Sequence, residues 1–162
     1  PTIRPILSQW YGLMCRLSDK VSFRKGNTKD IKLLETIRLR SIKHCKNYSL
    51  QELNIWKNSI PDWKDIIDKT IICDYDKKIS GFVSMKDNEL YLLYVDPSFQ
   101  NKGIGNKLVS LVESQGMKCD TNLNSEKVLI KRGWEFDSDN IKTISGETFN
   151  NKWYMLKKKP HI

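Results

Sequence analysis

Between residues 70 and 95 short apolar stretches are separated by polar turns, the signature of successive strands. The pattern predicts three strands, over residues 70–75, 79–85 and 89–95, joined by Asp76-Lys77-Lys78 and Lys86-Asp87-Asn88. Strict alternation places Glu89, Tyr91, Leu93 and Val95 on one face of the third. Upstream, Val21-Ser22-Phe23-Arg24 reads as a first strand. Asn27-Thr28 then offers N-cap chemistry for a helix carrying Ile31, Leu33, Leu34 and Ile37. Ser49 with Glu52 three residues on forms a capping box ahead of Leu53 and Trp56. Pro61 suits the first turn of a short helix through Ile67. Downstream, a helix over 103–115 is predicted to stop at Gly116, and a short strand follows at 117–121. A helix over 124–132 is ended by Gly133, and two last strands flank Ser145-Gly146-Glu147. Strands first, then alternating helix and strand, predict an α+β fold with a mixed sheet of about six to seven strands flanked by helices.

The turn between the third strand and the following helix carries the most chemistry. The apolar run Leu90 to Val95 is broken by Asp96-Pro97 and followed by Gln100-Asn101-Lys102-Gly103-Ile104-Gly105. A strand, a glycine-bearing turn and a helix in that order point backbone N–H groups outward at a positive helix N-terminus, where a phosphate can bind. Glycine at 103 and 105 lets a ligand come close to the backbone. The spacing is Q-x-x-G-x-G, which is neither the G-x-G-x-x-G of a dinucleotide fold nor the G-x-x-x-x-G-K-[ST] of a P-loop.

With Val95-Asp96-Pro97 ahead of it, this segment resembles motif A of the GNAT superfamily of acyl-CoA-dependent N-acetyltransferases, in its bacterial form. The resemblance extends to Asn122 through Gly133-Trp134, which is similar to the family's N-x-x-A … Y-E-K-x-G-F segment. It also includes Tyr48 to Leu53 with Trp56, similar to the start of a second helix, and Trp153 to Lys157, similar to a last strand. It implies the GNAT fold over residues 21–162, and acetyl-CoA as acyl donor, cradled by Gln100, Asn101, Lys102, Gly103, Ile104 and Gly105. Leu93, Val95 and Asn122 complete the implied cofactor site. The implied reaction moves an acetyl group to a primary amine of a small molecule or peptide by direct attack in a ternary complex. A toxin-like member acetylating aminoacyl-tRNA and a non-catalytic acyl-CoA-binding protein are the alternatives.

Acyl transfer to an amine needs a proton acceptor, an oxyanion donor and a way to stabilise the leaving thiolate. Glu89 stands eleven residues before Gln100, where some family members place a catalytic glutamate. The same position also suits a solvated carboxylate at a hairpin edge. Many members carry a proton-donating tyrosine four residues before the conserved glycine. Leu129 occupies that position here and is expected to pack in the core. Tyr154 and Tyr94 are the remaining candidate donors. Tyr48, Trp56, Tyr91 and Trp153 are the candidate walls of the acceptor pocket, or equally core aromatics.

Composition narrows this further. The 162 residues suit one domain, with residues 1–20 read as an N-terminal extension that the resemblance does not cover. No apolar run reaches the roughly 18 residues of a transmembrane helix, so no membrane association is expected. Four cysteines lack C-x-x-C spacing, and His44 and His161 are the only histidines, so no metal site is expected and the chain reads as cytoplasmic with free thiols. The net charge of +9 suits a polyanionic cofactor. Nucleic acid enters only with the tRNA alternative. A homodimer is compatible with the sequence.

Overall fold

The computed structural model describes residues 20–158, so the N-terminal extension lies, but for Lys20, outside the described residues. The strands are β1 (Val21–Lys25), β2 (Thr70–Tyr75), β3 (Lys78–Lys86), β4 (Glu89–Val95), β5 (Lys118–Thr121), β6 (Glu135–Ile144) and β7 (Glu147–Met155). The helices are α1 (Ile31–Lys43), α2 (Leu50–Asn58), α3 (Trp63–Ile66), α4 (Ile104–Val112) and α5 (Glu126–Lys131). One mixed sheet runs in the order β1-β2-β3-β4-β5-β7-β6. Its β4–β5 junction is parallel and its other junctions are antiparallel. This is the expected α+β class.

Local chemistry sets most boundaries. The Ser49–Glu52 capping box forms, with the Glu52 N–H donating to Ser49 Oγ at 3.0 Å and the Ser49 N–H to Glu52 Oε1 at 3.1 Å. Asn27 caps a 3-10 turn at Thr28–Asp30 that leads into α1, so its effect on α1 is indirect. On α1, Leu34, Ile37 and Ile42 are buried while Leu33 faces outward, because adjacent positions on a helix point about 100° apart. Pro61 lies two residues ahead of α3, which begins at Trp63 with Asp62 as its cap. Gly133, at φ +86°, ends α5 as expected: the Gly133 N–H donates to Ile130 O and the Trp134 N–H to Leu129 O, both at 3.0 Å.

Two expectations are corrected. Helix α4 stops at Val112, not near residue 115, and Gly116 belongs to the turn into β5, where its N–H donates to Leu156 O at 2.7 Å. The chain leaves the helix at Glu113, whose buried carboxylate accepts from the Arg132 guanidinium and, at 3.0 Å, from Trp134 Nε1. The alternation of β4 is also broken. Ser84 pairs with Leu92 but Met85 pairs with Leu90, leaving Tyr91 as a bulge. Leu90 therefore shares the α4-side core with Leu93 and Val95, while Leu92 and Tyr94 face the α1 side. Glu89 and Leu93 do not share a face.

Two apolar layers cover the sheet. One joins α4 and α5 to it through Leu108, Val109, Leu129, Leu90, Cys119 and Tyr154. The other joins α1 and α3 through Leu34, Ile37, Trp63, Ile66 and Phe82. Leu129 is fully buried, as expected. Beyond the four-residue β5, the rungs from Asn140↔Asn151 to Ile144↔Glu147 make a two-stranded ribbon.

Candidate functional site

β4 and β5 share only two rungs, Glu89↔Lys118 and Leu90↔Cys119. Past them β5 pairs with β7 alone, and β4 and β5 part. The parting opens a groove of about 980 Å³. Its walls are residues 90–95 of β4, Cys119 and Asp120 of β5, the end of α1 and the turn before α4. An unpaired strand edge presents N–H and C=O groups that a ligand can pair with. Ser41 fixes the far end of β4 by donating its hydroxyl to Val95 O at 3.1 Å.

The turn is held from beneath. Asp96, buried, accepts from the Ser98 N–H at 2.9 Å and from Arg40 Nη2 at 3.2 Å. Pro97–Phe99 forms a 3-10 turn, and Asn101 and Gly103 take left-handed conformations at φ +63° and +78°. A Cβ built on Gly103 would meet nothing within 4 Å, so that side of the turn is open. The first amides of α4 have no carbonyl a turn earlier to bond, and the helix dipole adds positive potential there. Gly105 lies within ordinary contact of Val95 and Val128 side chains, at 3.7 and 3.8 Å for a Cβ placed on it. The position thus also serves close packing of α4 on the sheet. An anionic diphosphate fits this cradle.

Of the residues singled out in the sequence, Trp56, Tyr91, Leu93, Tyr94, Val95, Gln100, Asn101, Gly103, Ile104, Gly105 and Asn122 line the groove. Lys102 does not; its ammonium sits 5.3 Å over the Tyr75 ring. Asn122 turns its Oδ1 inward to accept from the Asn124 and Ser125 N–H groups at 2.9 and 3.1 Å, capping the approach to α5. Tyr48 packs edge-on against Trp56 at 5.6 Å, behind the groove wall. Trp153 stands across from Asp120 on β7, also outside the wall.

The three catalytic candidates are not together. Tyr94 lines the groove and accepts from Trp56 Nε1 at 3.0 Å, which leaves its own O–H to donate. Burial pushes its hydroxyl up to about 12, so it stays protonated at neutral pH. Tyr154 is buried in the α4-side core and donates to Glu126 Oε1 at 2.6 Å; that bond pushes its hydroxyl up to about 12. Glu89, on the last-but-one rung before the parting, is raised above the usual carboxylate range, first by burial and then by the charge of Asp120.

Asp120 was not singled out in the sequence, yet it lines the groove and binds the ammonium of Lys142 and the amide of Asn151. Cys45 was likewise missed as a wall residue. Asn124 Nδ2 donates to its sulfur at 3.2 Å, joining the end of α1 to the loop before α5, and burial raises its thiol to about 11. The partners that tie them to the groove, Lys142 and Asn151 for Asp120 and Asn124 for Cys45, lie far along the chain.

The sequence matches the family described as acetyltransferase (GNAT) domain over residues 44–139. No curated protein matches it. Several solved structures share the fold. A GCN5-related N-acetyltransferase from Rhodopseudomonas palustris has a TM-score of 0.77 at 21% identity, covering 85% of this chain and 95% of its own. The yncA protein of Salmonella typhimurium, with its cofactor acetyl-CoA, scores 0.61 at 15% identity, covering 88% and 96%. The N-acetylglutamate synthase of Neisseria gonorrhoeae, complexed with coenzyme A and N-acetyl-glutamate, scores 0.52 at 18% identity, covering 73% of this chain and 29% of its own. With a family match over more than half its length, on the sheet and turn described above, the chain belongs to the GNAT acetyltransferase family.

Proposed function

We propose that the groove holds acetyl-CoA and that the protein moves the acetyl group to a primary amine of a small molecule or peptide in a ternary complex. The observation that carries this reading is the parting of β4 from β5 after two rungs, directly beside an open glycine turn at a helix N-terminus. Bound acetyl-CoA supplies an activated thioester. Gln100, Asn101 and the amides from Gly103 to Gly105 would hold its diphosphate, while Lys102, turned onto the Tyr75 ring, stands outside the groove. The free edge of β4 at Leu93 and Val95 would pair with its amide-bearing arm. Glu89, held toward its neutral form yet able to ionise, takes the proton of the acceptor ammonium through water. The freed nitrogen then forms the new C–N bond as the C–S bond breaks. Tyr94 offers a proton to the leaving sulfur from inside the groove and regains one from the second proton that the nitrogen sheds on becoming an amide.

A panel of amines with acetyl-CoA, read by thiol release, tests the reading. Aminoacyl-tRNA belongs in the panel because the +9 charge suits a polyanionic acceptor. Glu89→Gln keeps the shape and removes the proton acceptor. It should lose at least about tenfold in rate near neutral pH, since general-base catalysis is worth roughly 10²–10⁴-fold. The loss should shrink at high pH, where more of the acceptor amine is already deprotonated and needs no base. Full activity of the variant across the pH range would remove Glu89 from the mechanism.

One observation favours a second reading, acyl-CoA binding without turnover. Leu129 occupies the position of the usual tyrosine and is fully buried, and the nearby Tyr154 hydroxyl is engaged on Glu126. Saturable coenzyme A binding with no thiol release from any acceptor would establish it.

A further inference from the structure

Leu90 and Cys119 are rung partners and both enter the α4-side core. Side chains alternate along a strand, so Glu89, Lys118 and Asp120 stand together on the opposite face. Asp120 is the first residue of β5 beyond the last shared rung. It lines the groove and Glu89 does not, so of the two carboxylates Asp120 is the one that faces the groove. Two later strands hold it in place. Lys142 of β6 binds its Oδ2, and Asn151 Nδ2 of β7 donates to its Oδ1 at 3.1 Å. Asn140, across the ladder from Asn151, has a buried Nδ2 with no hydrogen-bond partner among the described residues.

We propose that the Asp120–Lys142 pair is a positioning element of the acceptor site, standing at the mouth of the strand gap and governing whether Glu89 can take the acceptor's proton. The inference rests on Glu89 as the proton acceptor. The charged groups about Glu89 are Lys86 and Asp87 from β3 and its turn, Lys118 and Asp120 from β5, and Lys142 from β6. Among them Asp120 favours a proton on Glu89 and Lys142 opposes it. The two are bound to each other, so each also fixes where the other acts. In the step itself an N–H bond of the ammonium breaks and an O–H bond forms on Glu89. Asp120 stays bound to Lys142 and Asn151, beside the arriving cation.

The test is a carbon-13 titration of the glutamate side-chain carboxyls, with the Glu89 signal identified by its loss in Glu89→Gln. Asp120→Asn should move the Glu89 midpoint to lower pH and Lys142→Met should move it to higher pH, each by on the order of one unit. The acid limb of the kcat profile should follow in the same two directions. Asp120→Glu and Lys142→Arg should restore both readouts, which separates a charge effect from damage to the fold. Midpoints that stay put, or that move the same way in both variants, overturn the inference even if Glu89→Gln is inactive. A fully active Glu89→Gln would instead overturn the proton-acceptor reading, whatever the midpoints do.

Discussion

The two edges of β4 meet opposite fates. Toward β3 the ladder runs from Glu89 to Val95, interrupted only by the bulge at Tyr91. Toward β5 it ends after two rungs. The closed edge leans on Gly81, where a Cβ would come within 2.9 Å of Tyr94 O, so the backbones fit only because that position is bare. The open edge leans on Gly103, where a Cβ would meet nothing. A glycine that is needed because something is already there serves the fold. Gly103 is needed for its left-handed backbone, at φ +78°, and it leaves the space beside the turn open. The same strand thus carries a structural seam and, on the function proposed above, a binding seam.

Three substitutions test that division, in order of expected size. Leu129→Ala removes a fully buried side chain from the layer that carries α5 under the open edge, and should cost roughly 2–5 kcal/mol in urea unfolding. A variant of normal stability with altered turnover would move Leu129 from the core into the site. Gly81→Ala forces the closed edge apart and should cost about 1–3 kcal/mol, with coenzyme A affinity of the folded fraction nearly unchanged. Gly103→Leu should cost about 1–2 kcal/mol from its left-handed backbone. Its larger signature is calorimetric: acetyl-CoA affinity should fall at least about tenfold, or about 1.4 kcal/mol. If Gly81→Ala harmed binding and Gly103→Leu did not, the division between the two edges would collapse.

Much of this was legible along the chain because it is local. The Ser49–Glu52 box, the Gly133 stop and the strand–turn–helix around Gly103 each depend on residues within a few positions of one another. The failures are all long-range. Period-two counting cannot see the bulge at Tyr91, which arises from how β4 registers against β3. It therefore set Glu89 on the wrong face relative to Leu93. Gly116 looked like a helix terminator because the true one, Glu113, is drawn inward by Arg132 and Trp134 from beyond the next strand. Asp120 was passed over because Lys142 and Asn151, which show what it does, lie 22 and 31 residues away.

The ribbon formed by the outer halves of β6 and β7 has no third strand to keep step with. A residue exchanged or inserted near Ser145 alters no register in the sheet, and the cradle at Gly103 sits on a different connection altogether. Asp120 moors the ribbon through Lys142 and Asn151, but the ribbon's tip is otherwise free to vary. On the function proposed above, such a chain can drift toward a new acceptor by changes at one extremity while the cradle at Gly103 remains fixed. A lineage built this way would show conserved turns beside β4 and diverse hairpins beyond β5.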